Sequence, residues 1–263
     1  MKIRIPQNLF SVDTNPKTIK GQKYGYVTAV LYLAPYNISG VNLCPMAELA
    51  QCHIACLYSA GRGAFNSTQT ARINKTRYFL EQTPAFMRHA AIEIHRIVRK
   101  TRARGMIPLV RLNGTSDIRW ENIPVSIDAE TARKINRPAG EYANIFALFP
   151  DVQFYDYTKI PNRKDIPENY DLTFSFSGAP GFEKINRRAH DAGMRIAVVF
   201  DRQENIPAEF MGRECIDGDD SDIRHIDAPW SAVALYAKGR ARRDSTGFVV
   251  RPNNRVIPIH AAA

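Results

Sequence analysis

No stretch of this chain approaches the ~20 consecutive apolar residues that a bilayer helix needs, so no membrane span is expected. The opening residues, Met1-Lys2-Ile3-Arg4-Ile5-Pro6, lack the apolar core of a signal peptide, and the cytoplasm is the expected compartment. Internal repeats, low-complexity tracts and linker-like segments are missing too, which excludes collagen, coiled coil and fibre. Cysteine is scarce at 4 residues, too few to suggest the disulfide framework of a small secreted scaffold. Acid is in deficit: Asp plus Glu is 26 against 36 Lys plus Arg, a formal charge of +10.

What remains suits a globular protein. The chain has 263 residues, of which 44% are apolar and 24% charged. That is enough apolar mass to bury a core, and it excludes disorder as the overall state. Residues 1–23 are polar and predict a loosely docked arm. Residues 24–263 predict a single domain.

Six apolar segments rich in β-branched and aromatic residues predict strands: Tyr26–Leu33, Ile107–Leu112, Val152–Tyr157, Leu172–Phe176, Arg195–Phe200 and Ser231–Tyr236. A shorter one runs through Glu214–Ile216. Ser67–Arg104 predicts helix with a break before Pro84, Thr83 serving as N-cap and Gly105 as the left-handed stop. Beyond the break, Phe86, Met87, Ala90, Ala91, Ile94, Ile97 and Val98 recur at helical spacing. Ala139–Phe149 and Phe182–Ala192 predict further helices. Strand and helix alternate, and the strands are almost continuously apolar. The expected fold is therefore α/β, a (β/α) barrel-like sheet, possibly incomplete, with a long cysteine-bearing loop after the first strand.

The positive charge is uneven. Between Arg72 and Arg119 eleven basic residues face only Glu81, Glu93 and Asp117. Lys238, Arg240, Arg242 and Arg243 form a second basic cluster. An acidic stretch, Glu214 to Asp227, separates the two. A polyanion would be drawn to the basic parts and excluded from the acidic one, so nucleic acid is the expected partner and a membrane is not.

In parallel α/β folds the working site lies where the strands end. Here Arg111 leads into Asn113-Gly114-Thr115-Ser116-Asp117. Asp156 is followed by Thr158 and Lys159, Ser175 lies in its strand, and later strands run into Asp201 and Lys238. Arg111, Asp156 and Ser175 interrupt apolar strands, where burial without partners is costly. Asp117, Asp156 and Lys159 are the candidate catalytic residues. A cation lowers the pKa of one acid while burial raises another, so two acids can divide nucleophilic and proton-transfer roles. Arg111, Asn113, Ser116, Tyr155, Ser175, Asp201 and Lys238 are candidate substrate contacts. Tyr155 and Tyr157 are suited either to base stacking or to the core, and by alternation they face away from Asp156.

Cys44, Cys52 and Cys56 lie close together in sequence with C-x7-C-x3-C spacing, and Cys215 is distant. The cluster reads as a metal site or as buried structural thiols. The metal reading takes Cys44, Cys52, Cys56 and Cys215 as ligands, with His53 as an alternative fourth.

Three segments taken together carry a resemblance: Leu43-Cys44-Pro45 through Cys52, Cys56-Leu57-Tyr58 and Gly61; Val110 to Asp117; and Phe154-Tyr155-Asp156-Tyr157-Thr158-Lys159. Over residues 24–240 they resemble the bacteriophage family known as gene product 88. More distantly the chain is similar to the tRNA-guanine transglycosylase superfamily, with its phage branch that installs 7-deazaguanines in DNA. That similarity implies a (β/α) barrel, a structural zinc, and Asp117 with Asp156 or Asp201 as acids. The partners it implies are nucleic acid, DNA rather than RNA, and a small modified base. The three-cysteine loop is also similar to the radical SAM superfamily, which implies an iron–sulfur cluster with S-adenosylmethionine. The leading expectation is a phage enzyme that exchanges guanine for a 7-deazaguanine in DNA. The alternatives are an iron–sulfur enzyme and a non-enzymatic phage protein that binds a host defence factor.

Overall fold

The computed structural model describes residues 4–56, 58 and 60–251. Residues 1–3, Leu57, Ser59 and 252–263, which belong to the expected arm, cysteine loop and domain end, lie outside the described residues.

The chain opens with β1 (Phe10–Val12), α1 (Pro16–Lys20) and β2 (Tyr26–Leu31). Two long helices follow, α2 (Asn66–Glu81) and α3 (Thr83–Arg102), then β3 (Ile107–Arg111). Next come β4 (Val125–Ile127), α4 (Ala129–Ile135), β5 (Gly140–Tyr142), α5 (Ile145–Leu148) and β6 (Gln153–Thr158). The last part contains β7 (Tyr170–Ser175), α6 (Glu183–Asp191), β8 (Ile196–Phe200), β9 (Glu209–Phe210), β10 (Arg213–Asp217) and β11 (Ser231–Tyr236).

One 9-stranded sheet organises the molecule, in the order β1-β2-β3-β6-β7-β8-β11-β10-β9. From β2 through to β10 every neighbour is parallel, and β1 and β9 close the two edges antiparallel. The α/β expectation holds at this level, as a large mixed sheet with helices. The hydrogen-bonded order runs from one edge to the other without returning to its start. The cysteine loop follows β2 rather than the first strand. Its displacement has a simple cause: part of the segment expected as an arm, Phe10–Val12, pairs with Ala29–Leu31 and adds a strand in front.

The α2–α3 junction explains the break at Pro84. Thr83 is the first residue of α3, and its hydroxyl donates to the Phe79 carbonyl at 2.7 Å, splicing the two helices. The apolar stripe of α3, from Phe86 to Val98, is buried where α3 packs on β2, β3, β4 and α4. Each large apolar side chain in that stripe contributes roughly 1.5–3 kcal/mol. Gly105 takes φ +69°, the left-handed stop expected of it. Ala139–Phe149 differs from expectation. Gly140–Tyr142 pairs antiparallel with Val125–Ile127 after the intervening α4, and only Ile145–Leu148 is helical.

The two faces of the sheet are covered differently. Helices cover Ala29, Leu31, Val110 and Phe154. On the other face Leu109 and Tyr155 pack on Ile223, from the segment between β10 and β11. That segment is pinned by Arg111, whose Nη1 donates to Asp222 at 2.6 Å, and by Lys17, whose Nζ reaches Asp219 at 2.7 Å. So the acidic stretch is not simply a surface patch. Asp222 is buried as a plug against the sheet, and Asp219 bridges Lys17 and Lys238.

Candidate functional site

The ends of β3, β6 and β7 define the C-terminal rim, and the cysteine loop is tied down on it. The Asp117 N–H donates to the Leu43 carbonyl at 2.9 Å. The Ser177 hydroxyl donates to the Ala50 carbonyl at 2.7 Å, and the Cys44 thiol faces the Thr115 carbonyl at 3.7 Å. Gly114 is required where it stands. A Cβ there would lie 2.7 Å from the Leu31 carbonyl oxygen and from side-chain atoms of Val30 and Tyr32. The loop after β3 thus runs hard against the end of β2.

Asn113 organises the turn that follows. Its side-chain oxygen accepts from the Ser116 hydroxyl, the Ile118 N–H and the Trp120 indole at 2.9–3.0 Å. Ser116 and Asp117 are held in place by this turn. Asp117 Oδ1 accepts from the Thr158 hydroxyl and Oδ2 from the Lys159 N–H, both at 2.8 Å, with Arg163 Nη1 3.8 Å away. Burial pushes the Asp117 carboxyl up, against the pull of these donors.

The Lys159 side chain turns the other way. Its Nζ donates to the Ser175 carbonyl at 2.9 Å and the Ser175 hydroxyl at 3.1 Å, with the Phe176 carbonyl at 3.5 Å. The ammonium lies 4.9 Å from the Phe248 ring centre and 5.6 Å from that of Phe182. Burial lowers its pKa, and among the described residues no carboxylate is in ion-pair contact with it.

Asp156 sits deeper, on the helix-covered face. It accepts from the N–H groups of Leu112 and Asn113 and from the Tyr170 hydroxyl, with Arg111 Nε 3.8 Å away. Burial raises its carboxyl to about 7. Arg111 lies between the rings of Tyr155 and Tyr157, at 5.4 and 5.0 Å, on the opposite side of the strand. Tyr155 is fully buried in that stack. Asp201 Oδ1 accepts from the Arg202 N–H and the Asn205 amide, closing its own turn. Lys238 is paired with Asp219 at 2.6 Å. The structure therefore brings Asp117, Lys159 and Ser175 together. Arg111 pairs with Asp222 through Nη1 and approaches Asp156 through Nε, while Asp201 and Lys238 keep partners of their own.

The expected zinc site, and the alternative iron–sulfur site with S-adenosylmethionine, are corrected. Among the described residues no group of three or more His, Cys, Asp or Glu side chains is placed to hold a metal ion. No disulfide joins the four cysteines among the described residues, and Cys44, Cys52 and Cys56 lie near enough to act on one another electrostatically. Cys44 accepts from the Tyr36 N–H, Cys52 faces the Ala47 carbonyl, and Cys56 accepts from the Tyr58 N–H. His53 Nδ1 is engaged with the Ala47 carbonyl as well. Cys215 lies within β10. Burial pushes all four thiols up, Cys44 to about 12 and Cys215 to about 11. All four are partly buried.

Two groups escaped the sequence reasoning. Arg163 is buried against Glu121 and approaches Asp117. Its loop shows no periodicity from which burial could be read. The second is Arg62, whose nearness to the expected basic cluster of Arg240, Arg242 and Arg243 no sequence window shows. Gly239 stands against Ala60, so the turn carrying the exposed Arg240, Arg242 and Arg243 lies beside the turn carrying the exposed Arg62. Many cations of α3, by contrast, are neutralised: Arg88 by Asp128, Arg96 by Glu93, Arg102 by Asp151. A cleft of about 450 Å³ opens at the other end of the sheet, lined by Ile107, Pro108, Val152 and Gln153. It lies away from the strand ends where reactive groups gather.

Residues 8–252 match the family described as Gene product 88. No curated protein and no solved structure matches the chain.

Proposed function

This chain belongs to the bacteriophage family Gene product 88, and from that premise we propose that it is a nucleic-acid base-modifying enzyme working at the C-terminal rim. The observation that carries the reading is Lys159: a desolvated amine at a strand end, hydrogen-bonded, among the described residues, only to neutral acceptors of Ser175 and Phe176. A lysine of this kind gives up its proton more readily than one in water, which suits proton transfer. The rim cations Arg62, Arg240, Arg242 and Arg243 support a polyanionic substrate.

The reaction proposed is exchange of guanine for a 7-deazaguanine in DNA. The bond from C1′ to the outgoing base breaks while the Lys159 ammonium gives that base a proton. The Asp117 carboxylate stabilises the positive charge that develops at C1′. The incoming base bonds to C1′ and returns its N–H proton to the Lys159 amine. The target nucleotide must leave its stack to reach such a site.

The test is nucleoside mass spectrometry of DNA and RNA from cells expressing the chain. A modified nucleoside that disappears with Lys159→Met supports the proposal. A chain that binds nucleic acid and leaves every nucleoside unaltered is a binding protein, and the enzymatic reading then fails.

A further inference from the structure

A second cation lies near the same rim, and the reaction above does not use it. Arg72, in α2, is 9% exposed. Its guanidinium lies between two rings, 5.0 Å from the Tyr32 centre and 5.4 Å from the Tyr58 centre. Among the described residues, its buried Nε and Nη1 have no hydrogen-bond acceptor. No carboxylate is paired with it among the described residues.

Arginine stays protonated in proteins, so this charge cannot be relieved by losing its proton. A buried guanidinium normally has an acid beside it, because an isolated buried charge is strongly unfavourable. Two aromatic faces offset part of that cost. They leave the Nε and Nη1 N–H groups without an acceptor among the described residues, and in-plane guanidinium N–H groups are the ones that bind oxyanions in pairs.

The helix that carries Arg72 points to the same ligand. α2 runs for 16 residues, and Phe65 gives its first turn no side-chain cap. No acidic residue occupies that turn. The helices α1, α4 and α5 are each capped by an Asn or Asp side chain, whereas α3 and α6, like α2, have no side-chain cap. An uncapped helix start favours an anion, and helical side chains lean towards it. The exposed Arg62 precedes that start, and the basic turn at Gly239 lies beside it.

We propose that Arg72 anchors a phosphate-binding site at the C-terminal rim, one that takes the terminal phosphate monoester of a nucleotide or of a nucleic-acid strand. A terminal phosphate is compact and doubly charged, which suits a cation with so little exposure. An internal phosphodiester, flanked by two sugars, is left to the exposed rim arginines. The inference deepens the reading of a nucleic-acid substrate and rests on it, but it does not need the base chemistry.

The experiment compares 3′-labelled oligonucleotides that carry a 5′-phosphate or a 5′-hydroxyl, by fluorescence anisotropy. Matching 5′-labelled strands test a 3′-phosphate. Thermal shift with a nucleoside monophosphate against its nucleoside covers the free nucleotide. At least one phosphorylated probe is expected to bind tenfold or more tightly than its hydroxyl twin. Arg72→Met and Arg72→Lys should both erase that preference, while binding of the hydroxyl strands stays within about twofold. Ligand-free Arg72→Met is expected to melt no lower than the parent, since it removes a charge without a partner. Should Arg72→Met fail to fold, Arg72→Lys decides, because it keeps the charge and loses the planar donor pair. Equal binding of every phosphorylated and hydroxyl pair by the parent overturns the proposal, as does a preference that survives in the variants. Phosphate preference with no altered nucleoside leaves this site standing and removes the enzymatic reading. Altered nucleosides without phosphate preference do the reverse.

Discussion

Asp117 grips Lys159 by its backbone and leaves its ammonium alone. The carboxylate accepts the Lys159 N–H at 2.8 Å, while Nζ reaches across to Ser175. Strand end and amine are thereby aimed independently. Asp117→Asn can keep both contacts, its carbonyl on the Lys159 N–H and its amide on the Thr158 hydroxyl. It should fold with a loss of no more than about 1.5 kcal/mol, as read by urea denaturation, and lose base exchange. Asp117→Ala removes both acceptors and should be destabilised by roughly 3 kcal/mol.

The Arg111–Asp222 pair holds the plug on the sheet. Breaking it from one side with Arg111→Met or Asp222→Asn should cost about 3–5 kcal/mol, because a charge or a dipole is left buried without its partner. The double replacement Arg111→Met with Asp222→Leu should recover most of that loss. Burial alone raises the Asp222 carboxyl, but Arg111, Lys17 and Arg224 outweigh it and hold its pKa below the usual range. The sign follows. This stabilisation is full above the ordinary carboxylate value near ~3.9 and is lost as pH falls through the depressed folded value. Arg111→Met should flatten the acid limb of the stability curve, measured from pH 5 down to pH 2.

The cysteine loop should be chemically quiet. With Cys44 pushed up to about 12, its thiolate fraction at pH 8 is on the order of one in ten thousand, against about a quarter for an ordinary thiol. Iodoacetamide should label Cys44 in the native chain at least a hundredfold more slowly than in urea. Equal rates would contradict the burial described for it.

The exposed rim arginines should set the salt dependence of nucleic-acid binding. Replacing Arg240, Arg242 and Arg243 together by Ser should make the slope of log K against log salt shallower by about 2–3. The melting temperature should hold, because none of the three is buried. An unchanged slope would place the nucleic acid elsewhere.

What could be read in advance depended on how local the cause was. Tyr26–Leu31, Ile196–Phe200 and Ser231–Tyr236 are apolar on both faces, and that alone marks a covered parallel strand. The α3 stripe repeats at the helical period, and Gly105 announces its end. Phe10–Val12 and Glu209–Phe210 are too short for any period, and only the partner strand makes them β. The segment 139–149 shows helix-like apolar spacing, yet Gly140–Tyr142 follows its antiparallel partner Val125–Ile127. Asp222 looks like any other acid in an acidic stretch. Its burial depends on Arg111, 111 residues away in the chain, which no window reveals. The strand-end acids were legible as polar interruptions, whereas Asp156's set of donors depends on Tyr170 and the Leu112 and Asn113 N–H groups.

The most direct measurement is a nucleoside inventory of DNA from cells expressing the chain, set beside that from cells expressing Lys159→Met, with both proteins confirmed folded. The account predicts a 7-deazaguanine nucleoside in the first sample and its absence from the second. Identical inventories, or a modification that persists without the Lys159 amine, would contradict it.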